Sequence, residues 1–576
     1  MAHLTPVMEQ NFIEYASYTI VERAFPDIRD GCKPVQRRIL QTMFEADDGR
    51  FHKVANTVGE TMKLHPHGDA SIYEALVVLA NKEFFIERQG NFGNIITGHR
   101  PAAARYIEAR LTPLARETLF NKHLTDTQPS YDGRKKEFVC LPAKVPVVLM
   151  LGTDGIGVGM ATRILPHNFA ELLQAQIKLL NNEPIELFPD FIQAGIMDVA
   201  EYADGRGRVR LRARIEPRGD KKVVITEIPY GTTTESLIDS IETQAQRGKV
   251  KIAGISDFTT DHVEIEVTLP RGVYADEVVP QLYAYTDCEI QANSNITVIR
   301  DGRPAELTVT EILYDLTLQL RDQIKRELEW ELDQLENKHH WLTLEQIFIE
   351  NRVYKKIEDQ KTAEGVRQAV MKGMDPFKHL FIREMTDEDV ERLLEIRIRR
   401  ISQYDIDKNR KDIDDIVRAI KDCRVKLRNL TKTTVAYING IYDKYAKDHP
   451  RRTEIGIFEQ VDVKAVARAN LKVSYDKDTG FFGYDVRGKD YQFNLTEFDK
   501  LLIISKDGSY RIMPAPDKFL VPGRAIHIQL FDPEVGVEFV VVYRDKKKIS
   551  YAKRIKIEKF INAREYELIK GRDGTL

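Results

Sequence analysis

From Leu313 to Leu335 apolar residues recur every three or four positions, at Leu313, Leu316, Leu320, Ile324, Leu328, Leu332 and Leu335, with charged residues filling most of the gaps. That spacing commits the segment to one long amphipathic helix, which outruns any single compact core. A second long helix is expected from Thr386, where Thr386 with Asp389 reads as a capping box, through Leu393, Ile401, Ile413, Ile416, Ile420 and Leu427. The two bracket a small globular stretch, Gly373 to Met385 with Asp375-Pro376-Phe377, at the far tip of an antiparallel arm. An arm that exposes apolar residues at its end commonly serves dimerisation, although an intramolecular hairpin carries the same pattern.

The 576 residues imply about three to five domains. Ahead of the arm the period changes twice. Apolar positions fall at helical spacing over residues 8–25, Asp27 to Pro34 interrupts, and Val35 to Met43 resumes a helix; another starts at Asp69 behind Gly68, with Ile72, Tyr73, Leu76, Leu79 and Ala80 on one face. Three short helices followed by the strand-like, loop-rich stretch Phe84 to Thr97 predict a winged helix-turn-helix, with the Asp69 helix in the recognition position. From Gly205 strand alternation takes over: Val209, Leu211, Ala213 and Ile215 face one way and Arg208, Arg210, Arg212 and Arg214 the other, a half-buried strand with a basic face. Val223 to Ile228 and Val263 to Leu269 add strands ending at Pro-Tyr-Gly and Pro-Arg-Gly turns. Beyond residue 456, Leu501 to Ile504 and Tyr510 to Met513 read as a hairpin across Lys506-Asp507-Gly508-Ser509, with further strands at Ala525 to Leu530 and Glu538 to Tyr543. The last domain is expected to be incomplete where the chain stops at the turn Gly571-Arg572-Asp573-Gly574.

Composition narrows the class without naming it. Hydrophobic residues make up 42% and charged residues 30%, and no run reaches the ~18 apolar residues of a membrane span. Neither a basic start nor an apolar stretch marks a signal peptide, so a cytoplasmic protein is expected. Cys32, Cys140, Cys288 and Cys423 form no C-x-x-C pair, which argues against a zinc site and a disulfide framework. The formal net charge of −3 means that nucleic-acid binding cannot be read from bulk charge. Basic residues do cluster at Arg23, Arg29, Lys33, Arg37 and Arg38, a pattern that a solvated helix face also produces.

One segment carries chemistry. In Pro101-Ala102-Ala103-Ala104-Arg105-Tyr106-Ile107-Glu108-Ala109-Arg110-Leu111 a tyrosine stands beside an arginine and behind small residues that permit close backbone approach. A phenol, with an ordinary pKa of about 10, needs cationic neighbours to act as a nucleophile on phosphorus. An arginine-tyrosine pair alone is weak evidence for that role over packing, since most tyrosines are amphipathic packing residues. Four further segments decide between them: Arg23 to Arg38 (Arg-Ala-Phe-Pro-Asp-Ile-Arg-Asp-Gly-Cys-Lys-Pro-Val-Gln-Arg-Arg), His65-Pro66-His67-Gly68-Asp69, Gln89-Gly90-Asn91-Phe92-Gly93, and Gly155 to Thr162 (Gly-Ile-Gly-Val-Gly-Met-Ala-Thr). With Pro166-His167-Asn168, the strand Ile225 to Tyr230 and Leu393 to Arg400, they stand in the order and spacing of the breakage-reunion A subunits of bacterial type IIA topoisomerases, which the chain resembles over residues 5–455.

The resemblance implies a multidomain α+β protein: a winged-helix DNA-cleavage domain over residues 1–160, a tower-like α+β domain over 161–312, a coiled-coil arm with a dimerisation tip over 313–455, and a β-rich DNA-binding domain, a partial β-pinwheel, over 456–576. It makes Tyr106 the nucleophile and Arg105 the transition-state stabiliser. Lys33, His65 and His67 become DNA contacts near the cleavage site, with Arg23 polarising the phosphate; Arg37 and Arg38 belong to the same DNA-binding run. For the two histidines a metal pair or a structural turn is the competing reading. Ile156 matches an apolar wedge between base pairs, against a buried loop anchor. Ala70 stands where the family often has serine, which puts quinolone binding through a water-bridged magnesium in doubt, although Glu74 keeps the acidic partner position. No Gln-Arg-Arg-Gly-Gly-Lys-Gly run is present, so topoisomerase IV-like relaxation and decatenation is favoured over gyrase-like supercoiling. No P-loop or acidic metal cluster is legible. Mg²⁺ and ATP are therefore expected on a separate B subunit, in an A2B2 assembly with a homodimer of this chain acting on double-stranded DNA. A site-specific recombinase or relaxase would need its own Arg-His-Arg set or histidine triad, and a DNA-architectural protein would have no use for Arg105-Tyr106.

Overall fold

The first 160 residues fold around helices that are short because glycine and proline interrupt the apolar period. The computed structural model describes residues 4–396, 403–458, 470–545, 547–569 and 574–576; Arg400, Ile401, Lys546 and Gly571 to Asp573 lie outside them. Helix α1 (Leu4–Thr19) runs into one π-helical turn, Ile20–Ala24. Helix α2 (Pro34–Glu45) starts on a proline, whose missing N–H costs nothing there, and the Gln36 side chain accepts the Lys33 N–H at 2.9 Å. Strand β1 (His52–Lys53), helix α3 (Val54–Thr61), helix α4 (Asp69–Asn81) and strands β2 (Ile86–Gln89) and β3 (Glu108–Leu111) follow, the strands pairing antiparallel in the order β1-β3-β2. Ile72, Leu76, Leu79 and Ala80 of α4 are buried against Ile39, Leu40, Val54 and Val58, as their spacing requires, while Tyr73 stays half-buried at the edge. Only Ile86–Gln89 of the stretch from Phe84 to Thr97 is a strand.

The Gly155 to Thr162 segment is a β-hairpin rather than a loop: β4 (Thr153–Ile156) pairs with β5 (Ala161–Ile164). Next comes an antiparallel sheet in the order Arg214–Pro217, Lys222–Glu227, Ile265–Thr268, Gly254–Asp257, covered by helices Thr234–Gln246 and Ala275–Tyr285 through Leu237, Ile241, Val278 and Leu282. A second sheet joins Glu289–Asn293, Arg208–Arg212 and Ile196–Asp198 to Glu454–Ile455, which arrives after the arm and pairs parallel to Ile196–Asp198. Val209, Leu211 and Ala213 are buried as the alternation demands. The opposite face is not a free basic one. Arg208 pairs with Glu201 at 2.6 Å, Arg210 and Arg212 share Glu289 at 2.7 and 2.6 Å, and Arg214 reaches Glu454 at 2.5 Å. Glu289 and Glu454 come from strands 77 and 240 residues from Arg212 and Arg214, which is why alternation alone misread that face.

Helix α5 (Val309–Glu350) has 42 residues, about 63 Å at 1.5 Å per residue. Thr308 and Glu311 cap it reciprocally. Its near half, Leu313 to Leu328, packs into the large N-terminal core, and its far half, Leu344, Ile347 and Phe348, into a separate one. The expected second helix is two. Thr386 and Asp389 do form a capping box, but on the short α6 (Asp387–Leu394), and α7 (Gln403–Arg428) is distinct. The apolar period ran on because it serves two cores: Val390 and Leu393 face Leu344 and Ile347, whereas Ile416 and Ile420 face Leu342. Leu380 and Ile382 are exposed at this end. Among the described residues of the carboxy-terminal region two four-stranded sheets and a three-stranded one form. The strand Lys500–Ser505 is apolar from Leu501 to Ile504 because Leu501 and Ile503 enter one core and Leu502 and Ile504 another.

Between α1 and α2 the chain is locked by Asp30, whose side chain is 0% exposed. Its oxygens accept Arg37 Nε at 2.5 Å and Nη2 at 3.0 Å, and the backbone N–H groups of Cys32 and Leu141 at 3.0 and 2.9 Å. Burial opposes the charge, but Arg37 and the two amides outweigh it and hold the carboxyl below its usual range. A carboxyl so held stabilises the fold at neutral pH and loses that contribution as the pH falls through its lowered folded-state value. Asp30→Asn is expected to cost about 3 to 5 kcal/mol at pH 7, because it strands a buried guanidinium. Denaturant unfolding should show this, with the gap to the parent chain closing below about pH 4.

Candidate active site

Tyr106 lies in the turn that leads into β3, and its position is set by backbone hydrogen bonds of the turn. Its own N–H donates to Ala103 O at 2.9 Å; Ala102 N–H donates to Asn91 O at 2.9 Å, and Ala104 O accepts Ala55 N–H at 3.2 Å. The Tyr73 hydroxyl donates to Ala102 O at 2.5 Å, tying the turn to α4. Gly93 has φ +81°, and a Cβ there would stand 2.8 Å from His99 O, so the chain needs glycine there to pass against the His99 to Pro101 segment ahead of the turn. The Tyr106 ring is 64% exposed, with the Arg105 guanidinium 4.6 Å from its centroid. A hydroxyl that is presented to solvent beneath a cation that cannot deprotonate is suited to nucleophilic attack on an anionic centre.

A second group assembles beside α2. Arg38 donates through Nε and Nη2 to Glu137 at 2.6 and 3.2 Å, and its Nη1 stands 3.0 Å from His65 Nδ1. His65 is buried, which together with the Arg38 and His67 charges pushes its pKa down to about 4. The His67 ring meets it edge-on at 4.9 Å, and Tyr18 Oη lies 3.5 Å from His67 Nε2. Arg23 is exposed and within electrostatic reach of His65.

The third group supports the hairpin. Lys33 Nζ donates to Asp154 O at 2.6 Å, and burial lowers its pKa. A Cβ on Gly155 would stand 2.3 Å from Ala24 O, so the hairpin lies directly on the end of the π-turn. Beyond that support Ile156 projects with 86% exposure, which removes the reading of it as a buried anchor. Ala70 and Glu74 are exposed one turn apart on α4.

Two expectations change. Arg37 is absorbed by Asp30 and is a structural residue, not an available DNA contact; Arg38 is turned inward toward His65 and Glu137. The one group of described residues able to converge three metal-ligand atoms is Asp27, Asp30 and Cys140. Asp27 already binds Arg29 at 2.8 Å and Asp30 is saturated, so the set does not suit an ion. Among the described residues no hydrogen bond or ring contact joins Tyr106 to Lys33, His65 or His67 within one chain. Sequence reading missed Tyr73 and Glu137: a tyrosine on an apolar helix stripe and a glutamate in a lysine-rich hairpin give no signal until the fold joins them to residues 29 and 99 positions away.

A family model for the A subunits of DNA gyrase and topoisomerase IV matches residues 23–440. The chain belongs to that family, the A subunits of type IIA DNA topoisomerases. A second family model, topoisomerase C-terminal domain, Bacteroidota, matches residues 472–575 of the β-rich region. The chain is 43% identical to the DNA topoisomerase 4 A subunit of Borreliella burgdorferi over 98% of its own length and 90% of that protein. It is 30% identical to the DNA topoisomerase 4 A subunit of Staphylococcus aureus over 87% of its own length and 66% of the relative. Against the DNA gyrase A subunit of Clostridium acetobutylicum the identity is 32% over 78% and 57%. No described helix is long and apolar enough to cross a membrane.

Tyr73→Phe removes the hydroxyl that ties the Tyr106 turn of this topoisomerase chain to α4. We expect a local loss of about 1 kcal/mol, read as roughly fivefold faster amide hydrogen exchange over residues 102–107 with global stability nearly unchanged.

Proposed function

We propose that this chain is the DNA-breaking subunit of a topoisomerase IV-type enzyme. The observation that carries the reading is the exposed Tyr106 under Arg105, clamped to a helix that leads from the His65-Pro66-His67-Gly68-Asp69 motif. The order helix, strand, helix, helix, strand, strand from α2 to β3 is that of a winged helix-turn-helix, with α4 as its recognition helix. Tyr106 Oη attacks the scissile phosphorus, the 3′ oxygen leaves, and the 5′ phosphate remains on the tyrosine; the reverse attack restores the strand without an external energy source. Arg105 neutralises charge that grows on the phosphate oxygens in the transition state. Lys33, Arg23, His65 and His67 receive the neighbouring backbone, and Ile156 enters the base stack, a role that its exposure permits.

A separate B subunit completes the catalytic site and supplies Mg²⁺ and ATP hydrolysis. Two copies of the chain meet at the arm tip around Leu380 and Ile382, so that two Tyr106 residues cut opposite strands while a second duplex passes. The assembly works on chromosomal DNA in the cytoplasm. Decatenation and relaxation are favoured over supercoiling because several basic residues of the β-rich region are neutralised in place. Arg511 pairs with Glu565 at 2.5 Å and Lys477 with Asp490 at 2.8 Å, and Arg554 binds Glu538. DNA wrapping draws on phosphate neutralisation and counterion release, which such pairs weaken.

Tyr106→Phe should bind duplex DNA and trap no denaturant-stable adduct; a persisting adduct would assign the chemistry elsewhere. Arg105→Ala should lower cleavage by about 3 to 4 kcal/mol in the barrier with little loss of binding, and equal losses would make it a positioning contact. Leu380→Asp with Ile382→Asp should shift the dimer to monomer in sedimentation. Reconstituted with ATP and its B subunit, the chain should decatenate linked circles and leave relaxed plasmid without negative supercoils. Robust supercoiling would place it with the gyrases instead.

A further inference from the structure

We propose that Glu137, acting through Arg38, is a positioning residue for strand cleavage that fixes His65 as a neutral donor toward the DNA backbone. The inference rests on His65 being a DNA contact. A guanidinium has no acceptor, so Arg38 Nη1 at 3.0 Å obliges His65 Nδ1 to accept. The ring proton is then on Nε2, where it can only be given away, and a phosphate oxygen is the acceptor that DNA offers there. Arg38 itself cannot turn. Its Nε and Nη2 are held by the two Glu137 oxygens at 2.6 and 3.2 Å, and the side chains of Arg38 and Glu137 are 12% and 7% exposed.

The carboxylate is delivered by a hairpin held against α2. The short hairpin Thr127–Pro129 with Lys136–Phe138 pairs Gln128 opposite Glu137, and Gln128 Nε2 donates to Glu137 at 3.0 Å. Buried Gln41 of α2 clamps the hairpin, accepting Phe138 N–H at 2.8 Å and donating to Lys136 O at 3.0 Å. Residues 38, 65 and 137 thus meet with their register fixed by backbone hydrogen bonds. The charged groups that face His65 are Arg38, His67, Glu137 and Arg23. Three of them are or can become cationic, and Glu137 is the single anion, so protonating the imidazole would add charge where charge already accumulates. The arrangement disfavours protonation of the ring.

The test uses the reconstituted holoenzyme, scoring covalent cleavage complex and duplex binding separately from pH 5.5 to 8.5. Glu137→Gln keeps the size and one acceptor but loses the charge that holds Arg38. We expect cleavage to fall about 10- to 100-fold, the weight of one hydrogen bond to a charged group, with binding changed less than threefold. Arg38→Gln should additionally bring an ionisation into the acid end of the cleavage profile, which the parent enzyme lacks, because it removes a neighbouring cation that depresses His65 while burial still does. That ionisation should vanish in Arg38→Gln/His65→Asn. Glu137→Gln on a His65→Ala background should cost nothing further, and Glu137→Asp should recover part of the activity. Full cleavage by His65→Ala would defeat the DNA-contact reading itself. An impaired His65→Ala with an additive Glu137→Gln, or no new ionisation in Arg38→Gln, would overturn the relay alone. Should Glu137→Gln not fold by its melting profile, Arg38→Lys carries the same comparison, since lysine keeps the charge and cannot fork between Glu137 and His65.

Discussion

The carboxylate of Asp30 has no contact with water, and four hydrogen bonds, two from Arg37 and one each from the Cys32 and Leu141 amides, use its lone pairs. An ion pair out of solvent gains little over an apolar pair, but it tolerates no alternative arrangement, because either partner left alone is strongly penalised. Here it joins the loop after Ala24, the first turn of α2 and the strand-like segment after Phe138. Gly31 passes beneath it at φ +65°, where a Cβ would collide with Val148 N at 2.3 Å. Once these are fixed, Lys33 is set against Asp154 O and Arg38 against His65 and Glu137. Two of the three groups of the candidate site therefore inherit their geometry from one buried charge.

This explains how a chain with a formal net charge of −3 can be built to meet a polyanion. Many of its described arginines are spoken for: along the Arg208 to Arg214 strand, at Arg37, and at Arg511 and Arg554 of the β-rich region they answer carboxylates of the same chain. Arg105 and Lys33 differ, since among the described residues no carboxylate lies within ion-pair distance of either. Specific placement of a few cations, rather than a broad basic surface, is what the fold offers to a phosphate backbone. An apolar side chain at 86% exposure, Ile156, is stable in that position because the hairpin beneath it is anchored by Lys33 and by the contact of Gly155 with Ala24 O.

Much of this was legible in the residues. Apolar spacing located α2, α4 and α5, and Thr386 with Asp389 marked a true helix start. Small residues before Tyr106 announced a backbone that must come close to another. Periodicity failed where one stripe served two partners. The run from Thr386 to Leu427 reads as one helix because leucine and isoleucine look the same whether they face Leu344 or Leu342. It failed again for charge: an arginine in a strand looks solvated until a glutamate 77 residues away is brought opposite it.

By itself, then, the sequence determined the family, the periods of its helices and strands, and the identity of the side chains able to do chemistry, because these depend on local spacing and on residue type. The tertiary structure decided which of those side chains are available. Arg37 and Arg38 are adjacent in one motif and of one kind, yet one is consumed by Asp30 and the other is aimed at an imidazole. The reason is physical: what a cation can do depends on its nearest anion, and that distance is set by the packing of segments about a hundred residues apart, as between Arg38 and Glu137, which no local pattern records.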